Sequence, residues 1–414
     1  MEVKYPRCCG LDVHKKTVTA CVLIKEGAVA KKRTRRFGTT TGELQRLAAW
    51  LKSCAVTHVA MESTGVYWKP VWNVLEGQFE LVLANARHVK ALQGEKTDAK
   101  DSGWIADLLQ HGLLRGSFVP GQEQRDCRDL SRLRQELVDD SNRVANRIQK
   151  VLEDANIKLA SVASDVLGRS GRDMLRAMVG GQRDAAVLAD LAIGQLRKKR
   201  EALQAALEGR LRDHHRCLLG HLLDQWEFLE AKIAQLEADL REQMGPFQEV
   251  NQRLDTIPGV NETLGWTLVS ELGVDMTRFQ GRADRAAAWS GLCPGNRESA
   301  GKRLSGRMRP GNRYLRRALT QAAWAASKAN GTYLQAQFRR LAARLGKKRA
   351  ILAVAHSILV IAFHVIARNE DYHDLGGDYF DRRDPRRSAR RLVRRLEQLG
   401  HKVILQPLAQ QIPA

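Results

Sequence analysis

The sequence predicts an α/β domain over residues 1–120, a helical arm over 121–250, a mostly helical domain over 251–370 and a basic tail over 371–414. Three observations carry that prediction. Short β-branched and apolar runs alternate with amphipathic segments as far as His111. Leucines then recur at three, four and seven along charged stretches. Finally, glycine, proline and arginine crowd the segment Cys293–Arg317 before a long apolar run returns at 350–367.

The elements follow in order. C-C-G-L-D, V-T-A-C-V-L-I and K-K-R-T-R-R-F read as three consecutive strands over residues 7–37. Thr40 with Glu43 makes a capping box for a helix whose apolar positions are Leu44, Leu47, Ala48 and Leu51. T-H-V-A-M-E (57–62) is a fourth strand, a helix runs through Trp68, Val71, Trp72 and Leu75, and F-E-L-V-L-A (79–84) is a fifth strand. Three strands, helix, strand, helix, strand is the order of an RNase H-like fold, with the later strands parallel to the first.

Carboxylates mark one edge of that sheet. Asp12 ends the first strand and Glu62 the fourth, and in an RNase H-like sheet these strands are neighbours. K-T-D-A-K-D (96–101) puts Asp98 and Asp101 three apart on one face of a helix running to about His111. Four converging carboxylates repel unless a cation lies between them. Oxygen-only ligands suit Mg2+ or Mn2+, and such a site handles phosphodiester chemistry. Taken singly, each of the four reads as a solvated surface acid; the set reads as a metal site. His14 and Glu95 read as bystanders.

In the arm, Leu130, Leu133, Leu137, Val144, Ile148 and Val151 line one charged helix, and Leu222, Trp226, Leu229, Ile233, Leu236 and Leu240 form a heptad seam. The pattern fits coiled-coil arms packed on each other or on a second subunit. A helical hairpin within one chain is the alternative. Residues 156–217 between them are polar and helical in parts.

After Gly245-Pro246, residues 254–273 read as two short helices about the hairpin I-P-G-V, a helix-hairpin-helix able to aim backbone N–H groups at a phosphate. A plain helical turn is the alternative. A helix around Arg285–Trp289 leads into C-P-G-N-R-E-S-A-G-K-R-L-S-G-R-M-R-P-G-N-R (293–313). Ser299 and Ser305 there share a glycine-rich loop with Arg297, Lys302, Arg303, Arg307, Arg309 and Arg313. Guanidinium groups can hold phosphate oxygens while a hydroxyl attacks the phosphorus. On this stretch alone, a loop that only grips nucleic-acid backbone, its serines ordinary turn residues, is the simpler reading. A helix from Arg313 through Trp324 follows, and Ala350–Ala367 reads as a buried core helix rather than a membrane span.

Lys and Arg total 68 against 46 Asp and Glu, a net charge of +22, which calls for a polyanionic partner such as nucleic acid. Seven scattered cysteines form neither a zinc signature nor a disulfide frame and fit a reducing cytoplasm. The N-terminus lacks the apolar core of a signal peptide. Gly295–Lys302 is not a P-loop, because Arg303 stands where Ser or Thr is required. With no nucleotide-hydrolysis motif, any strand transfer must proceed without ATP, which a covalent serine–phosphate intermediate would allow by conserving the phosphodiester energy. The Arg-dense tail (382–395) reads as a backbone-binding arm or a solvated basic helix.

Together G-L-D-V-H-K, A-M-E-S-T-G, K-T-D-A-K-D, I-P-G-V, C-P-G-N-R-E-S-A-G-K-R and R-P-G-N-R-Y-L-R-R-A-L, in this order, resemble transposases of the insertion sequence 110 family, the DEDD-type serine transposases also called bridge recombinases. The resemblance covers about residues 8–112 and 254–367. It implies a RuvC-like domain with Asp12, Glu62, Asp98 and Asp101 as the DEDD set, a coiled-coil region, and a C-terminal transposase domain whose serine maps to Ser299, with Ser305 the fallback. It further implies a bacterial, nucleoid-associated protein that works as a dimer or tetramer with composite sites. Donor and target DNA would be paired by a structured noncoding guide RNA. The tail beyond residue 371 lies outside the pattern. Two other readings stay open on the residues: a RuvC-like junction-resolving nuclease with a structural serine, and a non-catalytic architectural DNA-binding protein.

Overall fold

The computed structural model describes residues 2–26, 29–63, 65–85, 98–295, 297–299, 301–305, 307–308 and 310–406, with backbone alone at 98–100, 297–299 and 303–305. The chain divides into two compact units, Met1–Pro120 and Gly121–Ala414.

The first unit is a six-stranded mixed sheet with helices on both faces. Its strands are β1 (Arg7–Val13), β2 (Thr17–Glu26), β3 (Val29–Gly38), β4 (His58–Glu62), β5 (Glu80–Ala84) and β6 (Gly116–Ser117), in the order β3-β2-β1-β4-β5-β6. β1 pairs antiparallel with β2 and parallel with β4; β4 pairs parallel with β5. The five longer strands stand where the sequence predicts them. β6 is two residues long and pairs antiparallel with the end of β5; nothing so short carries a period.

Side-chain alternation sorts the two faces. Cys9, Leu11 and Val13 of β1, with Val59 and Met61 of β4, pack with Leu44, Leu47 and Leu51 of helix α1 (Thr41–Ser53) and Val71 and Leu75 of helix α2 (Trp68–Leu75). Cys8 and Ala60 face the other way, onto Ile105, Leu108 and Leu109 of helix α3 (Asp98–Gln110). The capping box expected for α1 does not form. The Thr40 side chain makes no cap hydrogen bond, and Glu43 accepts from the Gly38 N–H at 3.2 Å while pairing with Arg46 at 2.7 Å. A neighbouring guanidinium and the preceding strand compete for Glu43 and win.

Among the described residues the second unit is helical but for one small ribbon. Helices α4 (Gln122–Asp154) and α7 (Asp213–Gln243) form a long antiparallel hairpin. The pairs Arg134–Glu237, Ser141–Glu230 and Asp154–His215 step in opposite directions along the two helices. The seam through Leu229, Ile233, Leu236 and Leu240 is therefore spent within the chain. Nearer the start of α7 the buried positions are Leu219 and Leu223, not Leu222 and Trp226, because helices α5 (Arg169–Val179) and α6 (Arg200–Leu207) fold back there to build a separate core with Val144, Ile148 and Met174.

The remaining helices, α8 (Gln248–Asp255), α9 (Glu262–Leu272), α10 (Ala283–Ser290), α11 (Arg313–Ala326) and α12 (Tyr333–Leu345), surround α13 (Lys347–Arg368). Helix α13 is long and apolar enough to cross a membrane, but Ile351, Val354, Ile358, Leu359 and Phe363 are buried in the core it shares with α9 and α11. Between α8 and α9, Ile257 and Val260 of the I-P-G-V turn are buried, and the Ile257 and Val260 N–H groups bond to Leu254 and Ile257 carbonyls. Those donors close the turn rather than face a phosphate. The tail forms a short helix, Tyr379–Arg383, and the exposed helix α14 (Pro385–Gln398).

Candidate active site

Two features could carry chemistry: an acidic sheet edge in the first unit and a basic ribbon in the second.

The acidic edge follows from strand geometry. The last β1–β4 pair is Leu11 with Met61, so Asp12 and Glu62 each stand one residue beyond it on parallel neighbours. Because Cys8 and Ala60 face α3, alternation puts Gly10, Asp12 and Glu62 on the same side. Helix α3 runs antiparallel to β1. At its C-terminal end the Gln110 carbonyl accepts from the Lys4 and Tyr5 N–H groups at 2.9 and 3.1 Å, and in its middle Ser102 and Ala106 lie over Gly10. A Cβ on Gly10 would meet the Ser102 carbonyl at 2.3 Å, so only glycine allows this approach. Asp12 lies about 7 Å further along the strand. Asp101 and Asp98 precede Ser102 by roughly 1.5 and 6 Å of helix rise. The start of α3 thus arrives at the edge where Asp12 and Glu62 end.

Asp12 is held by His14, which the sequence alone presents as a bystander. The His14 Nε2 lies 3.0 Å from the Asp12 Oδ2, with the Asp12 side chain only 17% exposed. The signal was the i, i+2 spacing just past the end of β1. Glu95 lies outside the described residues, and Asp98 is described by its backbone alone. Burial pushes the Cys8 thiol up to about 12 and raises Cys9 well above the ordinary value.

The serine stretch is a two-stranded ribbon rather than the loop its glycines suggested. Strands β7 (Arg297–Ser299) and β8 (Lys302–Ser305) pair antiparallel. Ser299 is opposite Lys302, beside the turn where Gly301 has φ +72°; Ser305 is opposite Arg297, towards the stem. Below, the Gly295 N–H donates to the Arg307 carbonyl at 2.9 Å, and Pro294 bridges Met308. At the base, a Cβ on Gly311 would meet the Gly291 nitrogen at 2.4 Å, so the two ends of the ribbon touch backbone to backbone. Ser299 is therefore carried near the tip and Ser305 near the stem. Lys302 and Arg307 are exposed, Arg297 and Arg303 are described by backbone alone, and Arg309 lies outside the described residues.

A recess of about 380 Å³ opens at the ribbon's foot, lined by Met308, Arg313, Arg316, Arg317 and Thr320 among others. Arg317 pairs with Asp139, and Arg313 stacks on Tyr314 and pairs with Glu136. Arg316 has no ion pair among the described residues, which leaves its charge for an anion in the recess. The sequence alone does not mark it among the candidate phosphate-binding cations.

Beneath the ribbon lies a buried carboxylate that sequence reasoning also missed. Glu271 is 1% exposed; Arg132 donates to it twice, at 2.7 and 2.9 Å, and the Asn312 amide donates at 2.6 Å. Asn312 also caps α11, accepting from the Tyr314 and Leu315 N–H groups at 3.1 Å. The signal was a lone acid in the apolar run of α9.

Asp154, His214 and His215 are the one group of three or more candidate ligands within 4.8 Å among the described residues. The Arg212 N–H donates to the His215 Nδ1, so Nε2 carries the proton that it shares with Asp154 at 2.7 Å. That hydrogen bond holds the Asp154 carboxyl below its usual range. With the Arg212 guanidinium 3.2 Å from the same Nε2, the group suits a clasp between α4 and α7 better than a cation site.

Known proteins match both regions in sequence. Residues 9–157 match the family model of DEDD transposases of the IS110 type, and residues 251–339 match the model described as "Transposase IS116/IS110/IS902 family". A relative described as "Transposase for insertion sequence element IS1111A", from Coxiella burnetii (strain RSA 493 / Nine Mile phase I), is 25% identical over 372 residues, 88% of this chain and 90% of the relative.

Proposed function

The chain belongs to the IS110 family of transposases, and from that premise we propose that it cuts and rejoins DNA through a phosphoserine intermediate on Ser299. The first unit would then be an RNase H-like, RuvC-like domain in which Asp12, Glu62, Asp98 and Asp101 hold divalent metal, Mg2+ or Mn2+. The single observation that supports this most is the arrival of the α3 start, with Asp98 and Asp101, beside the strand ends of Asp12 and Glu62.

An all-carboxylate donor set fits a hard cation. When bound, the metal would supply charge neutralisation at the scissile phosphate. His14 would orient the Asp12 carboxylate. The Ser299 hydroxyl, near the tip of a ribbon pinned at its base, would approach the phosphorus. As the Oγ–P bond forms and the P–O3′ bond breaks, the proton lost by the serine is balanced by one gained on the departing O3′, leaving a 3′-hydroxyl and a phosphoserine link. Attack by another strand's 3′-hydroxyl returns the serine. Arg297, Lys302, Arg303, Arg307, Arg309 and Arg313 would hold the phosphate oxygens and the flanking backbone.

In this reading the protein acts as a homo-oligomer, a dimer or tetramer, on donor ends and target DNA paired through a structured guide RNA. The test is strand exchange between element-end and target duplexes with the full chain. Product should require divalent metal and the RNA transcribed from the element end, and should vanish with Asp12→Asn or Glu62→Gln. Exchange that survives both substitutions would overturn the metal assignment; exchange unaffected by ribonuclease would overturn the guide.

A further inference from the structure

The tail does more than extend into solvent. A cleft of about 860 Å³ lies between helix α12 and the tail helices Tyr379–Arg383 and α14. Arg340 and Arg344 reach it from α12; Arg383, Arg387 and Arg391 reach it from the tail. Two acids share the lining, Asp381 and Asp384, and both are engaged. Asp381 accepts from the Ser388 hydroxyl at 2.6 Å and from Arg391 at 3.0 Å, while Asp384 caps α14 by accepting from the Arg387 N–H at 3.1 Å.

The floor is built rather than incidental. Phe380 stacks on Tyr333 at 5.4 Å, Tyr379 meets Tyr333 edge-on at 5.1 Å, and the Arg340 guanidinium lies over Phe380 at 4.8 Å. Arg344, Arg383 and Arg387 have no ion pair among the described residues and are exposed. Three cations gathered in one recess repel one another, and an anionic ligand with spaced charges relieves that repulsion.

We propose that this cleft binds the phosphodiester backbone of single-stranded DNA. Its volume is that of a small-ligand pocket, which admits a few nucleotides of one strand and excludes a duplex. The faces of Phe380 are taken by Tyr333 and Arg340, so binding rests on charge and tolerates any base sequence. Single strands are what a DNA transposase exposes when it opens its substrate. The inference does not rest on the serine mechanism, and its test reads binding rather than cleavage.

The experiment measures anisotropy of a labelled ten-nucleotide dT strand with the full chain over a range of salt. The variant Arg344→Gln/Arg383→Gln/Arg387→Gln is compared with Arg386→Gln/Arg390→Gln/Arg394→Gln, which removes the same charge from tail positions outside the cleft. Losing three phosphate contacts on a single strand, at about 0.7 each, should flatten the log–log salt slope by about 2. Between 50 and 200 mM salt the cleft variant would then weaken roughly 18-fold less than the native chain. The outer variant should change the slope much less, and duplex binding should stay near native in both. Equal slopes for the two variants, an equal loss on duplex, or tighter cleft-dependent binding of a ten-nucleotide rU strand than of dT would each overturn the proposal.

Discussion

The Glu271 carboxylate and the Asn312 amide, 2.6 Å apart, join the end of α9 to the first residue after the serine ribbon. Because Asn312 also caps α11 and Arg132 grips Glu271 from α4, one buried acid ties the ribbon's exit to three helices. Truncating one partner of such a pair leaves an uncompensated buried charge. Glu271→Ala should destabilise the protein by about 3–5 kcal/mol, read by denaturant unfolding. A loss under about 1 kcal/mol would mean that the network relaxes without it.

Asn312→Ala should be milder, at about 1 kcal/mol for the lost cap. In exchange assays, however, it should slow turnover more than its stability loss explains, since it frees the ribbon's base. Comparison with Thr332→Ala, which removes a cap remote from the ribbon, checks this: similar melting shifts with a rate defect only for Asn312 is the expected pattern.

In the first unit, Gly10→Ala forces a Cβ into the Ser102 carbonyl at 2.3 Å. Overpacking of this kind costs about 1–3 kcal/mol. Since α3 carries Asp98 and Asp101, the same substitution should also weaken Mn2+ binding measured by electron paramagnetic resonance. Native Mn2+ affinity in a folded Gly10→Ala protein would contradict the placement of α3 as part of the site.

Much of this was legible in the sequence, for physical reasons that also explain the misses. Asp12 and Glu62 could be placed because each closes a short apolar run that reads as a strand, and neighbouring parallel strands bring such ends to one edge. The α4–α7 pattern was legible as a seam, but a heptad does not say whose helix fills it. Within the chain, the partner proved to be α4. The ribbon was hidden because β7 and β8 are polar and short, held by backbone bonds and by contact at Gly311 rather than by an apolar face. Glu271 and His14 were hidden because a buried acid or a bracing imidazole acquires its role only through partners distant in sequence or turned towards it by the strand.

The central claim is a covalent one, and trapping tests it most directly. The full chain is incubated with element-end DNA, its flanking RNA and Mg2+, then denatured, and protein-bound DNA is mapped by peptide mass spectrometry. The account predicts a phosphodiester adduct on Ser299, lost with Ser299→Ala and with Asp12→Asn and retained with Ser305→Ala. Cleaved DNA that carries no protein, in an amount unchanged by Ser299→Ala, would contradict it and make the serine structural.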